Sequence, residues 1–180
     1  MSWAEDVNRF WFEELCPADW YSGAPQVDAA IRDRFAALHA ELRAQPPAPE
    51  ALTAEALVAA IVVFDQFSRN LFRRSREAYA TDGLALTLAR HAVDAGVDRM
   101  LEPQQRQFLY MPFMHSEDSA MQARSVELFT DLGIAEQIYW AHHHKAIIDR
   151  FGRFPHRNSI LGRESAPEEI GFLRTEAPLA

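Results

Sequence analysis

The stretch that decides the fold is residues 53–74, which read Thr-Ala-Glu-Ala-Leu-Val-Ala-Ala-Ile-Val-Val-Phe-Asp-Gln-Phe-Ser-Arg-Asn-Leu-Phe-Arg-Arg. Its first half holds the longest apolar run of the chain, residues 56–64, which is well short of the ~20 residues that span a bilayer. Four hydrogen-bonding side chains then follow at spacings of i, i+3, i+4 and i+7: Gln66, Arg69, Asn70 and Arg73. This pattern predicts a helix that begins in the core and ends in a polar stripe.

Within that stripe, Asp65 precedes Arg69 by four residues, so both side chains lie on one side of the predicted helix. A carboxylate in this position can orient a guanidinium group and leave its other donors for a ligand. The alternative is an ordinary solvated helix face with surface ion pairs.

Helical spacing of apolar residues extends along nearly the whole chain, and no stretch alternates polar and apolar residues as a strand does. Proline and glycine separate the segments, because proline lacks the amide hydrogen that a continuing helix requires. The sequence therefore predicts an all-α protein. Helices are expected at residues 3–15, 27–42, 53–74, 84–95, 103–112, 116–132 and 134–151.

Short connections between successive helices favour antiparallel neighbours. We expect antiparallel helical hairpins stacked in a tetratricopeptide-like, right-handed array, although no two segments align at the period of about 34 residues that a true repeat requires. A length of 180 residues fits one domain. This single all-helical domain is predicted at residues 1–174, and a flexible C-terminal tail at residues 175–180.

The chain has a formal net charge of −8 and one cysteine, Cys16. This acidity argues against a nucleic-acid binder, because the phosphate backbone requires a broad basic surface. The single cysteine excludes an intrachain disulfide, and the first residues lack the basic and apolar segments of a secretory signal. We expect a cytoplasmic protein that binds neither nucleic acid nor a membrane.

Positive charge is concentrated near the end of the chain, where five Lys or Arg residues and one Asp lie between Lys145 and Arg163. Glycine and proline within residues 150–165 argue against a continuous helix, so this stretch is expected to form an ordered loop. Guanidinium groups bind phosphate and carboxylate through paired hydrogen bonds. The predicted anion-binding residues of the loop are Arg150, Arg153, Arg157, Asn158 and Arg163.

A structural role for these arginines is the alternative. They would then pair with buried Asp65, Asp82 or Glu117 and tie the end of the chain to the helices.

A third polar segment, residues 110–117, reads Tyr-Met-Pro-Phe-Met-His-Ser-Glu and lies where one predicted helix ends and the next begins. His115 and Glu117 are candidates for an acid/base pair, because histidine titrates near neutral pH and a neighbouring carboxylate raises its pKa. In the alternative reading, Ser116 caps the next helix, Glu117 complements its dipole and His115 packs against the core. His156 is a further candidate for proton transfer.

Three consecutive histidines at residues 142–144 point in different directions on a helix, so they cannot bind one metal ion together. Only His144 lies on the apolar side, where it is either a ligand contact or an ordinary core histidine. The chain contains none of the common enzyme motifs. No metal ion and no cofactor is predicted.

Three motifs in this order resemble the bacterial "domain of unknown function 924" family: Asp65-Gln-Phe-Ser-Arg-Asn70, residues 110–117, and Arg150-Phe-Gly-Arg-Phe-Pro-His-Arg-Asn158 followed by Leu161-Gly-Arg163. The resemblance covers nearly the whole chain. It implies an all-helical, tetratricopeptide-like fold in a stand-alone cytoplasmic protein, and it implies no particular reaction. It also favours a site at which the three polar segments meet.

We therefore expect a cleft that binds a small anionic molecule, a phosphate or a carboxylate, with His115, Glu117 or His156 transferring protons. Such a protein is a hydrolase, another acid/base enzyme or a binding protein. The residues expected to contact the ligand are Asp65, Gln66, Arg69, Asn70, Arg73, Tyr110, His144, Arg150, Arg153, Arg157, Asn158 and Arg163.

The rival function is a helical-hairpin adaptor whose groove binds a peptide or protein partner. It requires exposed aromatic side chains along the groove, and the candidates are Trp20, Tyr21, Trp140 and Phe154.

Overall fold

The computed structural model of the protein describes residues 2–175, and within this range every regular element is helical. The prediction of an all-α fold is confirmed. The α-helices are α1 (Trp3–Arg9), α2 (Pro17–Trp20), α3 (Pro25–Ala44), α4 (Ala54–Ile61), α5 (Ser68–Leu71), α6 (Asp82–Asp94), α7 (Pro103–Met114), α8 (Ser119–Leu132), α9 (Ala135–Phe151), α10 (Asn158–Leu161) and α11 (Pro167–Thr175).

Shorter helical turns extend or connect these α-helices. Two π-helical turns, Phe10–Glu14 and Val62–Phe67, extend α1 and α4, and four 3₁₀ turns lie at Pro49–Ala51, Arg76–Tyr79, Val97–Met100 and Pro155–Arg157. Of the predicted C-terminal tail, Thr175 ends α11, and residues 176–180 lie outside the described part of the chain. None of the helices in residues 2–175 has both the length and the apolar character that crossing a membrane requires.

The segment at residues 53–74 forms one helical path from α4 through the π-helical turn into α5. It begins at Thr53, whose hydroxyl accepts a hydrogen bond from the amide of Ala56. Residues 57–64 are at most 1% exposed, as the apolar run predicts. The helix ends at Leu71 rather than near Arg74, because Phe72 leaves the helical conformation with a φ of −124° and a ψ of 36°.

The core is centred on α4, which contacts α1, α6 and α7. Trp11 is fully buried, with its ring centroid 5.4 to 6.3 Å from those of Trp20, Phe67 and Phe108. Along the second half of the chain, α7 packs against α8 and α8 against α9, with short connections between them. That these neighbours are antiparallel stays a prediction. The right-handed, tetratricopeptide-like order of the helices and the single domain at residues 1–174 stay predictions.

Two predicted features of α7 and α8 are wrong. The N-cap of α8 is Asp118, not Ser116, and its carboxylate accepts hydrogen bonds from the amides of Ala120 and Met121. Pro112 is expected to end or kink α7, and the helix does not end there but continues to Met114. All side chains of residues 107–114 are buried, so packing outweighs the hydrogen bond that the proline removes.

The arginine-rich stretch is more regular than the predicted loop. Gly152 ends α9 with a φ of 67°, as expected, but the chain then forms the turn Pro155–Arg157 and α10. Helix α11 follows and was not predicted. A small apolar cluster of Ile147, Ile148, Phe154 and Phe172 joins α9 to this C-terminal segment, and its burial explains why the segment is ordered.

Gly133, which ends α8, provides a test of the backbone. Its φ of 79° is strained for any residue with a Cβ atom, so Gly133→Ala should lower the free energy of unfolding by about 1 kcal/mol. Gly171→Ala is the matched control, because Gly171 lies inside α11 with open space around it and should gain about 0.5 kcal/mol. Urea denaturation measures both values. If both substitutions change the free energy of unfolding in the same direction, the backbone conformations described for Gly133 and Gly171 are wrong.

Candidate functional site

A cleft of about 470 Å³ lies where α6, the end of α7 and the C-terminal segment come together. Its walls are the turn Arg76–Tyr79, the first residues of α6, residues 115–117 after α7, and Arg157 with Leu161. The volume is in the range of clefts that bind small molecules. All three polar segments of the sequence reach this region, because Asp65 and Arg69 lie directly behind the cleft wall.

The central pair of the cleft is His115 and Asp65. The Nδ1 atom of His115 lies 2.8 Å from Oδ1 of Asp65, which is 1% exposed. Burial alone would raise the pKa of Asp65, but the Arg69 guanidinium and His115 outweigh it and hold this pKa well below its ordinary value. Asp65 is therefore a carboxylate that only accepts hydrogen bonds. It follows that His115 donates through Nδ1.

Arg69 connects Asp65 to the start of α6. Its Nη1 atom lies 3.2 Å from Oδ1 of Asp65, and its two Nη atoms donate to both carboxylate oxygens of Asp82 at 3.1 and 3.3 Å. The contact between Asp65 and Arg69 forms at the predicted spacing, but the other donors of Arg69 are not left for a ligand. Because Asp82 binds both Nη atoms of the guanidinium group, Arg69 keeps little freedom to bind a ligand directly.

Arg157 lies between two aromatic rings. Its Cζ atom is 4.6 Å from the ring centroid of Tyr79 and 4.6 Å from that of Phe154. Nη2 donates to the carbonyl of His115 at 3.0 Å, and Nη1 donates to Asp82 at 3.4 Å. The side chain is 7% exposed, and its Nε atom is buried with no hydrogen-bond partner among residues 2–175. Arg157 thus holds the backbone of His115, whereas Asp65 holds its ring.

Two further histidines are kept uncharged near the cleft. Burial lowers the pKa of His144 to about 3, and the ring lies 6.2 Å from that of His115, centroid to centroid. The Nδ1 atom of His144 donates to the carbonyl of Trp140 at 2.8 Å. Burial, followed by the charge of Arg157, lowers the pKa of His156 to about 4. Both imidazoles are neutral at physiological pH, so neither adds positive charge beside His115.

Glu117 lines the cleft but is not the partner of His115, so the predicted pairing is wrong. Its carboxylate accepts two hydrogen bonds from Arg163, at 2.7 and 2.9 Å, and one from the amide of Phe154. Burial would raise the pKa of Glu117, but these donors lower it below its ordinary value. Glu117 stays a carboxylate that anchors the C-terminal segment, as the structural alternative predicted for the arginines.

Arg153 and Asn158 belong to a separate cluster around Glu169 of α11. Arg153 donates to both carboxylate oxygens of Glu169 at 2.7 and 2.8 Å, and Nδ2 of Asn158 donates to the same group at 3.3 Å. Arg163 bridges the two clusters, because its Nε donates to Asn158. Arg150 pairs with Glu168 near the surface. The predicted anion-binding loop is therefore largely tied to carboxylates of this chain.

The remaining residues that were predicted to contact the ligand bind other side chains of the protein. Nδ2 of Asn70 and the guanidinium of Arg73 both donate to Asp28 of α3. Gln66 donates to Asp65 and lies against Met111. The hydroxyl of Tyr110 donates to Asp98 and accepts from Arg106, so it belongs to the opposite side of α7. The residues that the structure brings together at or behind the cleft are Asp65, Gln66, Arg69, His115, Glu117, His144, His156, Arg157 and Arg163.

Two cleft residues, Arg76 and Tyr79, were not predicted. They lie in a 3₁₀ turn between α5 and α6, where a short, mostly polar stretch carries no periodic pattern. The one available signal is Ser75, whose hydroxyl accepts from the amide of Glu77 and marks the start of the turn. No three His, Cys, Asp or Glu side chains within residues 2–175 are grouped so that they would hold a metal ion.

The aromatic residues named for the adaptor do not form one exposed surface. Trp20 and Phe154 are buried, Trp140 is partly buried, and Tyr21 is exposed. The large apolar side chains that are exposed in the described structure lie on separate elements: Tyr21, Met100, Tyr139 and Ile170.

The chain matches the model of the family described as bacterial protein of unknown function (DUF924) over residues 7–177, and it belongs to this family. A solved structure described as that of a protein of unknown function from Agrobacterium tumefaciens is 40% identical to it. The two superpose with a TM-score of 0.87, over 94% of this chain and 96% of that one. Among curated proteins, none matches the sequence. These comparisons confirm the family that the three motifs indicate.

Proposed function

We propose that the cleft binds a small anionic molecule in the cytoplasm and that His115 exchanges a proton with it or with a water beside it. The protein would then be an acid/base enzyme such as a hydrolase. The observation that carries this proposal is the pair of Asp65 and His115: an imidazole that lines a cleft is held through Nδ1 by a buried carboxylate.

The chemistry follows from the tautomer. Because Nδ1 carries the proton that Asp65 accepts, the neutral ring has its lone pair on Nε2, for which residues 2–175 provide no hydrogen-bond partner. Nε2 can accept a proton from water as the water oxygen attacks an ester or phosphate centre. The Asp65 carboxylate stabilises the imidazolium that forms, and Nε2–H then donates the proton to the leaving oxygen.

The surroundings of His115 support the same role. Arg69 and Arg157 hold the groups around the ring in place through their hydrogen bonds to Asp82 and, from Arg157, to the carbonyl of His115. His144 remains neutral and does not repel the imidazolium. A groove for a protein partner is the alternative, and the dispersed aromatic side chains give it less support.

His115→Gln tests the proposal. Hydrolysis of p-nitrophenyl acetate and p-nitrophenyl phosphate is measured for the wild type, for this variant and for His142→Gln, a control at an exposed histidine. We expect His115→Gln to lower kcat/KM about 100-fold or more, with a Tm close to that of the control. Equal rates for the three proteins, or no turnover of either compound, would refute the hydrolase proposal.

A further inference from the structure

One arginine that lines the cleft differs from the others because it is not paired with a carboxylate of the described residues. The carboxylates of the cleft wall are bound by arginines of this chain: Glu77 by Arg43, Asp82 by Arg69 and Arg157, and Glu117 by Arg163. Arg76 also lines the cleft, and its side chain forms no ion pair or hydrogen bond with residues 2–175. The carboxylates of Asp65, Glu77, Asp82 and Glu117 are outnumbered by the guanidinium groups of Arg43, Arg69, Arg76, Arg157 and Arg163. The difference is one positive charge, and Arg76 carries it.

Arg157 cannot take the role of a direct anion contact. Both of its Nη atoms donate within the protein, and its one unpartnered atom, Nε, has no significant accessible surface. Arg76 is exposed, and the turn that carries it is held in place. Ser75 caps this turn through the amide of Glu77, while Arg43 binds the side chain of Glu77. The backbone of Arg76 is thus positioned, and its guanidinium remains available.

Apolar side chains form much of the remaining cleft wall. Leu86 of α6 and Leu161 of α10 are only partly buried, and Pro112 of α7 lies beside them as a buried lining residue. Partly exposed apolar side chains that line a concave surface gain stability when a ligand covers them. The cleft therefore combines an unpaired guanidinium, an apolar wall and the imidazole of His115.

We propose that the ligand is an organic acid: Arg76 binds its carboxylate or phosphate group, and its apolar body lies along Leu86, Pro112 and Leu161, next to His115. This inference rests on the proposed function and specifies the class of molecule that the cleft accepts. Arg76 determines specificity for the anionic group. The apolar wall excludes bare inorganic anions as preferred ligands, because they leave its surface uncovered.

Three probes with the same alkyl chain test the inference: octanoate, octyl phosphate and octanamide. Dissociation constants are measured by following the imidazole signals of His115 by NMR in the wild type, in Arg76→Gln and in Arg99→Gln, a control at an exposed arginine away from the cleft. We expect the wild type and the control to bind the anions about 10- to 100-fold more tightly than octanamide, and Arg76→Gln to lose this difference. Comparison of octanoate with octyl phosphate identifies the preferred group.

The outcomes separate this inference from the proposed function. If the anions shift the His115 signals but Arg76→Gln binds them as tightly as the wild type, the inference is wrong and the cleft still binds anions. Equal binding of octanamide and octanoate by the wild type would also refute it. If none of the three probes affects His115 at millimolar concentration, both the inference and the proposed anion-binding function are wrong. Inorganic phosphate serves as a fourth probe and is expected to bind more weakly than octyl phosphate.

Discussion

Asp65→Asn is expected to lower the free energy of unfolding by about 3 kcal/mol at pH 7. The substitution removes the negative charge that compensates Arg69, which lies 3.2 Å away, and that accepts the hydrogen bond from His115. Loss of one partner from a buried ion pair typically costs about 3–5 kcal/mol. Here Arg69 keeps its contact with Asp82. Asparagine retains the shape and one acceptor, so the lower end of this range applies. Urea denaturation measures the change.

The pH dependence of stability provides an independent check on Asp65. Its pKa in the folded state is lower than the ordinary value of 3.8, so its contribution to stability is fully present above that value. This contribution is lost as the pH falls through 3.8 towards the pKa of the folded state. The wild type should therefore lose more stability than Asp65→Asn between pH 5 and about 3.

Asp6→Asn is the control for Asp65, because Asp6 and its partner Arg9 have side chains that are 41% and 40% exposed, and loss of this pair should change stability by about 0.5 kcal/mol or less. If Asp65→Asn costs no more than this control, or if its stability falls with acid as steeply as that of the wild type, the buried pair is not formed as described.

The second large effect is expected at Glu169 of α11. Glu169 is 3% exposed and accepts two hydrogen bonds from Arg153, one from Asn158 and one from the amide of Ala166. Hydrogen bonding from Arg153 lowers the pKa of Glu169 to about 2. Glu169→Gln cannot accept all these bonds, and we expect a loss of about 2–4 kcal/mol in the free energy of unfolding. Urea denaturation and hydrogen exchange of the amides in α10 and α11 measure it.

The neighbouring residue Glu168 supplies a matched control. It pairs with Arg150 at the surface, where the two side chains are 65% and 42% exposed, so Glu168→Gln should change stability by about 0.5 kcal/mol or less. The contribution of Glu169 is present above the ordinary glutamate pKa of 4.5 and is lost as the pH falls towards 2. Similar losses for the two variants would show that α11 is not held by the cluster around Glu169.

Local sequence patterns predicted most of the helices because apolar spacing, capping residues and breakers act over a few residues. Thr53 begins α4 as a cap, Gly133 ends α8 and Gly152 ends α9. Where burial competes with a local rule, the rule failed: α7 continues past Pro112 because its last eight residues are all buried. Helix α11 was missed because a single buried phenylalanine, Phe172, and Glu169 are too few to give a periodic pattern.

The polar stripe of residues 66–73 illustrates how far side-chain spacing can predict a site. One face of a regular α-helix would carry all four of its residues, but the chain passes through a π-helical turn at Val62–Phe67. This turn contains Gln66 but none of the other three residues, and Arg73 lies beyond Leu71, the last residue of α5. Arg69 contacts Asp82 at the cleft, whereas Asn70 and Arg73 bind Asp28 of α3. No feature of the sequence indicated the π-helical turn.

Pairings between distant residues were the least predictable part of the site. The segment holding Arg150 to Arg163 was correctly identified as important, but charge alone does not specify which arginine binds which carboxylate. Arg163 binds Glu117 across 46 residues of sequence, and His115 binds Asp65 across 50. These choices depend on the packing of α7 against α4 and of the C-terminal segment against α9.

The hydrogen bond between His115 and Asp65 is central to the proposed chemistry, and ¹⁵N NMR of the imidazole tests it directly. For the neutral ring in the wild type we predict a protonated Nδ1 and an unprotonated Nε2, and we predict that Asp65→Asn loses this preference. A wild-type ring that carries its proton on Nε2, or that exchanges freely between the two forms, would contradict the paired histidine on which the proposed chemistry is built.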